Sequence, residues 1–123
     1  MVCNNGRGNC RANNITYKIE CECEDQYIGE TARNGYSRGK EHLNSLAKQS
    51  DDSVLYRHIK EKHHDNSTQI PKFKMTILST HKTALDRQVA EAVLIGRVPH
   101  DKLMNKKNEW GHAKVVRSTL TAE

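Results

Sequence analysis

The sequence has few apolar and aromatic residues and no long hydrophobic run. Of its 123 residues, 35% are hydrophobic and 5% are aromatic, whereas 28% are charged. No apolar run approaches the roughly 20 residues that span a bilayer, so we expect no membrane-spanning helix and no membrane partner. A chain of this length forms one domain with a small core, and its stability is expected to depend on an additional staple such as a bound metal.

The beginning of the sequence also lacks the features of a secretory signal. The segment MVCNNGRGNC is polar and contains no apolar core of a signal peptide. We therefore expect an intracellular protein with reduced thiols, in which the four cysteines serve as metal ligands rather than as disulfide partners. A disulfide-bonded extracellular domain is the alternative, and it would show no free thiols after purification.

Positive charge is in excess, with 20 Lys and Arg residues against 15 Asp and Glu residues and a net charge of +5. This balance suits a polyanionic partner, because each cation that meets a phosphate releases condensed counterions. The charge is compatible with nucleic-acid binding without being specific for it.

Hydrophobic periodicity predicts a hairpin early in the chain. Residues 15–23 alternate between apolar and polar side chains, which predicts a half-buried strand. Residues 27–29 resume the alternation after a polar break, so the two runs are expected to pair as an antiparallel hairpin. This pairing would place Tyr17 and Tyr27 on neighbouring strands.

The rest of the chain predicts three helices and one further strand. Thr31 and Asn34 are candidate caps of the first helix, and Thr83 with Asp86 resembles a capping box for the third. The three predicted segments are an Asn- and Gly-rich loop at 1–14, a domain at 15–109 and a tail at 110–123. Within the domain, the helices are expected to end near residues 48, 63 and 96, and the further strand is expected at 73–77.

Glu91 is the one polar side chain in the run VAEAVLI at residues 89–95. A helix that is apolar nearly all round is predicted to be buried, and a carboxylate within it must be paired, protonated or bound to a cation. Two interpretations stay open: a salt bridge to Arg87 or to a neighbouring strand, or a functional carboxylate.

Four motifs occur in a recognisable order along the chain. They are Ile15-Thr16-Tyr17 on the first strand, Tyr27-Ile28-Gly29 on the second, Arg38-x-x-x-His42 on the following helix, and Glu91. This set resembles a GIY-YIG endonuclease domain over residues 15–109. With YIGETAR followed by RGKEH, it is most similar to the domain of Penelope-like retroelements. The resemblance implies an α+β fold with a small three-stranded antiparallel sheet flanked by helices.

The resemblance also implies hydrolysis of DNA strands with one divalent metal ion, Mg²⁺ or Mn²⁺. A tyrosine with a pKa near 10 is a poor base at neutral pH unless a cation or a metal-bound water shares its proton, so such a site needs a cation beside the tyrosine. The roles implied by position are Tyr17 as general base or its positioner, Tyr27 as a contact of the scissile phosphate or water, Arg38 as stabiliser of the phosphate charge, His42 as its partner one turn on, Glu91 as the Mg²⁺ or Mn²⁺ ligand, and Asn105 as the late asparagine near the site.

The sequence departs from the family pattern in two places. The first motif has Ile15 and Thr16 where the family name expects Gly and Ile, and the interval from Gly29 to Arg38 is one residue longer than in many relatives. Arg33 is the competing candidate for the catalytic arginine. We rank it second, as a DNA phosphate contact together with Lys40, because Arg33 has no histidine four residues on.

Penelope-like domains carry a zinc motif of two cysteines and two histidines, with the cysteines between the tyrosine motifs, and this sequence resembles them in that respect. Cys21 and Cys23 occupy that place. His58 with His64, or with His63 as a substitute, completes the set at a histidine interval typical of zinc sites, whereas the Cys-x-Cys spacing is tighter than usual.

The Cys-x-Cys spacing constrains the chain between the two sulfurs. On a straight strand they would lie too far apart, so the chain is expected to begin turning at Glu22. Cys3 and Cys10 remain open as replacement ligands. The plainer alternative is that the two strand cysteines are ordinary half-buried residues and that the paired histidines are solvated cations at a helix end.

The leading hypothesis from the sequence is therefore a metal-dependent DNA endonuclease that nicks target DNA for insertion of a retroelement. Such a domain would act on DNA in the nucleus as part of a larger protein with a reverse transcriptase upstream. The rival hypothesis is a non-catalytic, zinc-stabilised module that binds nucleic acid. Both predict salt-sensitive DNA binding, so only a cleavage assay separates them.

Overall fold

The computed structural model describes residues 2–4, 11–63 and 71–105. Cys10, His64 and the predicted tail at 110–123 lie outside these residues. The elements are β1 (Val2–Asn4), β2 (Ile15–Cys21), β3 (Gln26–Thr31), α1 (Gly35–Ala47), α2 (Val54–Lys62), β4 (Phe73–Thr80), α3 (Ala84–Arg97) and a short 3₁₀ helix (His100–Lys102).

The strands form one sheet in the order β1-β4-β2-β3. The central strand β2 pairs antiparallel with β3 and with β4, so the predicted α+β fold with a three-stranded antiparallel sheet and flanking helices is confirmed. The prediction of a loop is wrong for residues 2–4, which add to β4 as a parallel edge strand. This pairing depends on main-chain hydrogen bonds to an open strand edge, and the side-chain pattern of so short a segment does not reveal it.

The predicted hairpin is confirmed, with Tyr17 opposite Gly29 and Ile19 opposite Tyr27. Its turn begins where β2 ends at Cys21, which confirms that the chain leaves the strand at the next residue. The turn is closed by a hydrogen bond from the Glu24 N–H to the Cys21 carbonyl (2.8 Å), with Glu24 in the left-handed region at φ 78°.

The main core lies between the sheet and the helices α1 and α2. Alternate side chains of β2 and β4 point into it, as the period of two predicts. The buried residues of this core are Ile15, Tyr17, Ile19, Cys21, Val54, Leu55, Phe73, Met75, Ile77 and Met104.

Each α-helix begins at a side-chain cap. Asn34 accepts from the Ser37 N–H (2.8 Å) and Thr83 from the Asp86 N–H (3.1 Å), as predicted, and Ser53 caps α2. Among the described helices none is long and apolar enough to cross a membrane.

The third helix packs against β3 and β2, but the prediction that it is buried all round is wrong. Ala92 and Ile95 are buried, whereas Val89 is 36% exposed and Val93 is 47% exposed. The sheet covers only one face of this helix, so the apolar run extends round to solvent. Glu91 is half-buried.

Candidate active site and metal centre

Tyr17 stands at the centre of the candidate active site, and its position depends on Gly29. The two residues are opposite each other in the hairpin. A Cβ atom at position 29 would lie 2.5 Å from both Cζ and the hydroxyl oxygen of Tyr17, and 2.9 Å from the Tyr27 ring. A glycine is needed here because any side chain would occupy the space that the phenol fills.

The Tyr17 hydroxyl contacts two residues that lie one turn apart on α1. Arg38 Nε donates to it at 3.1 Å, and His42 Nε2 lies 2.9 Å away. A guanidinium only donates, so all three groups are satisfied when the Tyr17 oxygen accepts from Arg38 and its proton is directed to His42.

Burial and neighbouring charges set the protonation of this group. Tyr17 is wholly buried, and burial raises its pKa well above the ordinary value, with a further increase from Tyr27 and from Glu91 on α3 that Arg38 opposes. Burial, helped by the Arg38 cation, lowers the pKa of His42 to about 4. At neutral pH the site therefore holds a neutral tyrosine and a neutral imidazole.

Tyr27 completes a cluster of three rings with Tyr17 and His42. The centroid of its ring lies 6.2 Å from that of Tyr17 and 5.5 Å from that of His42, with the imidazole edge-on to the phenol. Such tilted contacts are favourable for aromatic pairs, so the hairpin and α1 are held together at the site.

A cavity of about 220 Å³ opens beside these groups. Of the six predicted catalytic residues, three line it and three, Tyr17, Glu91 and Asn105, do not. The other walls of the cavity were not predicted from the sequence, because they come from two separate elements, α1 and the start of α2. The lining residues are Tyr27, Arg38, Glu41, His42, Ser45, Asp52, Ser53, Val54 and Arg57.

Asn105 lies at the outer edge of β3, where residues 103–105 bond to the strand. Its Oδ1 accepts from the Ile28 N–H (3.0 Å) and its Nδ2 donates to the Ile28 carbonyl (2.9 Å), and the residue is buried. Since Ile28 follows Tyr27 in the chain, these bonds fix the backbone beside the second tyrosine.

The two predicted DNA contacts occupy different surroundings. Arg33 forms an ion pair with Glu41, which also bonds Arg38. Lys40 instead places its Nζ 5.0 Å from the centre of the exposed Tyr36 ring and does not line the cavity. Glu41 was not predicted, although its spacing of three from Arg38 on a helix is a signal for a side-chain pair.

Arg87, the residue considered as a partner for Glu91, ties α3 to the sheet. Its Nε donates to Glu30 Oε2 and its Nη1 donates to Asn14 Oδ1, each at 2.7 Å. The charge of Glu91 contributes to the raised pKa of Tyr17, which places Glu91 within electrostatic range of Tyr17.

A second cluster lies at the hairpin turn and the end of α2, where Cys21, Cys23, His58 and His63 place one ligand atom each within 4.8 Å of the others. Cys21 Sγ lies 3.4 Å from His63 Nε2, Cys23 Sγ lies 3.3 Å from His58 Nε2, and the two imidazole nitrogens are 3.2 Å apart. In a tetrahedral zinc site with ordinary zinc–sulfur and zinc–nitrogen bonds, the ligand atoms lie about 3.3–3.8 Å from one another. The distances in this cluster are close to those values. The four side chains could hold a metal ion such as zinc.

The histidine that completes this cluster is His63, which the sequence ranked as the substitute for His64. Cys21 and Cys23 are free thiols. Burial raises the pKa of the Cys21 thiol to about 12, so its thiolate needs a cation beside it.

Asp25 supports the cluster from behind His58. Its Oδ2 lies 3.7 Å from His58 Nδ1, on the opposite side of the ring from the nitrogen that faces the cysteines. A carboxylate at this place favours a proton on Nδ1 and leaves Nε2 free to bind a metal. Asp25 was not predicted from the sequence, although it stands two residues after Cys23.

Comparisons with known proteins give no relatives: no family model, curated protein or solved structure matches the chain. The resemblance to the GIY-YIG family therefore stays a prediction from the motifs.

Proposed function

We propose that this protein is a metal-dependent endonuclease that nicks DNA by hydrolysing a phosphodiester bond. The observation that carries the proposal is the Tyr17 hydroxyl, held between Arg38 Nε and His42 Nε2 within the electrostatic influence of Glu91. A core tyrosine needs one hydrogen-bond partner, whereas this one has a permanent cation, a neutral base and a carboxylate around it.

The hydrogen bonds of the Tyr17 hydroxyl to Arg38 and His42 support a proton relay. A water molecule attacks the phosphorus and passes a proton to the Tyr17 oxygen, while the proton of Tyr17 moves to His42 Nε2. The bond from phosphorus to one sugar oxygen breaks, and this leaving oxygen takes up a proton from water. Tyr17 never becomes a free phenolate in this scheme, which agrees with its raised pKa. Because the phenol is buried, the enclosing side chains must move before water reaches it. Arg38 stabilises the charge that develops on the phosphate oxygens.

Two different metals are proposed for the two sites. Glu91 offers an oxygen ligand, which suits a hard cation such as Mg²⁺ or Mn²⁺ that keeps water and substrate phosphate as its other ligands. The Cys21, Cys23, His58 and His63 cluster offers two thiols and two imidazoles. A set of four protein ligands is typical of structural zinc, because no position remains for substrate.

The order of the motifs along the chain supports a domain of the Penelope-like kind. In that setting the protein would be part of a larger polypeptide with a reverse transcriptase upstream. It would act in the nucleus and nick target DNA for insertion of the element.

A non-catalytic, zinc-stabilised module that binds nucleic acid is the second candidate. The observation that favours it is the complete burial of Tyr17, which is also what a packing residue would have. On this hypothesis the basic residues bind DNA and the tyrosines and arginine stabilise the hairpin.

Nicking of supercoiled plasmid with Mg²⁺ or Mn²⁺ separates the two candidates. We expect nicking by the unaltered protein and a loss of at least about 100-fold in Arg38→Ala and Glu91→Gln, with the circular dichroism spectrum unchanged. Arg97→Ala is the matched control, because this exposed arginine at the end of α3 is outside the site. Absence of nicking with either metal, alongside intact DNA binding, would favour the module.

A further inference from the structure

Glu41 presents its carboxylate to two arginines at the rim of the candidate active site. Arg33 Nη2 donates to Oε1 at 2.7 Å, and Arg33 Nη1 pairs with Oε2 at 2.5 Å. Arg38 Nη1 donates to the same Oε1 at 3.1 Å. The Arg33 guanidinium therefore contacts both oxygens of the carboxylate, and the Arg38 guanidinium donates to one of them.

This is the geometry in which arginines bind phosphate. A guanidinium fork recognises two oxygens of a carboxylate or of a phosphate with nearly the same arrangement of donors. The two arginines come from different places, the loop before α1 and the first turns of α1, so their convergence is made by the fold.

The Glu41 carboxylate is linked to the Tyr17 hydroxyl through Arg38. Arg38 donates through Nε to the Tyr17 hydroxyl and through Nη1 to Glu41. A group that replaced the carboxylate would be separated from the Tyr17 oxygen by one guanidinium. Glu41 also lines the cavity together with Tyr27 and His42.

The ion pairs can be exchanged without unfolding the site. The side chain of Glu41 is 36% exposed, and those of Arg33 and Arg38 are 60% and 32% exposed. Exposed pairs of this kind contribute little to stability, so an incoming anion competes with Glu41 on nearly equal terms.

We propose that Arg33 and Arg38 form a binding site for a DNA backbone phosphate, and that the Glu41 carboxylate fills this site until DNA displaces it. The inference rests on the proposed function, because it makes DNA the ligand. Glu41 then acts as a built-in competitor that lowers the affinity for DNA.

The test measures binding of a short fluorescent DNA duplex by anisotropy at low salt, with no Mg²⁺ or Mn²⁺ added. Removing the competitor in Glu41→Gln should lower the dissociation constant about two- to fivefold. In an Arg33→Ala background the same Glu41→Gln change should give little or no gain, because the fork that the carboxylate fills is gone. Asp101→Asn, which removes one exposed negative charge from the short 3₁₀ helix, is the matched control and should leave the dissociation constant unchanged.

Two results would overturn the inference. A gain in affinity that persists without Arg33 would mean that Glu41 acts only through its general charge. Weaker binding by Glu41→Gln would mean that Glu41 positions the arginines instead of competing for them. Plasmid nicking by the same proteins is measured separately: if the expected binding pattern appears and no variant nicks, the nuclease proposal fails and the phosphate site stands.

Discussion

The phenol ring of Tyr17 lies over Gly29 on the neighbouring strand, so closely that a Cβ atom there would be 2.5 Å from the hydroxyl oxygen. This contact explains why a glycine stands two residues after the second tyrosine. The space that glycine leaves open is filled by the group on which the proposed chemistry depends.

A methyl group at this position should therefore move Tyr17. We expect Gly29→Ala to lower the free energy of unfolding by about 1–3 kcal/mol, as overpacking of a core does, and to abolish nicking. Gly96→Ala is the matched control, because its Cβ would meet nothing within 4 Å, and it should leave both properties intact. Both are measured by urea denaturation and by the plasmid assay. Equal effects of the two substitutions would contradict this account.

The lowered pKa of His42 should make stability depend on pH. The unfolded chain binds a proton at His42 as the pH falls below about 6.5, whereas the folded protein does so only near pH 4. The unfolded state thus binds more protons between these values, and the free energy of unfolding decreases as the pH falls through that window. The loss attributable to His42 should be about 2–3 kcal/mol.

The measurement is urea denaturation at several pH values for the unaltered protein and for His42→Gln. Glutamine does not titrate, so the variant should show a shallower fall between pH 6.5 and 4. Parallel curves for the two proteins would show that His42 is not the group responsible. The metal ligands are the same in both proteins, so their protonation cancels in the comparison.

Removal of the metal should destabilise the hairpin and α2 together, because the cluster joins the two elements. We expect one zinc per chain by elemental analysis, and a lower melting temperature after treatment with a strong chelator. His63→Ala should lose zinc, whereas His64→Ala should retain it, because His63 is the histidine within reach of Cys21. Loss of zinc from His64→Ala with retention in His63→Ala would reverse the assignment.

Asp25 should strengthen metal binding through His58. Because its carboxylate stabilises the proton on His58 Nδ1, we expect Asp25→Asn to weaken zinc affinity about 10-fold or more. Competition with a chromophoric zinc chelator gives the affinity. Glu24→Gln is the control, since this exposed neighbour in the same turn removes the same charge without a contact to His58. Equal affinities for the two variants would assign Asp25 no role at the site.

The sequence alone determined the elements whose periodicity is local. The alternation in residues 15–23 predicted β2, and the caps at Asn34 and Thr83 predicted the starts of α1 and α3, because strand and helix patterns depend on neighbours a few residues apart. The same reasoning placed Arg38 and His42 on one side of α1. A spacing of four residues is sufficient for that conclusion.

Only the tertiary structure decided which distant groups meet. Whether His63 joins the cysteines, whether Glu41 sits between two arginines, and whether the short segment at 2–4 pairs with β4 all depend on how separate elements pack. The exposure of Val89 and Val93 has the same origin, because an apolar run in α3 is buried only where the sheet covers it. Local patterns specify the faces of helices and strands, and the packing of the whole chain specifies what each face contacts.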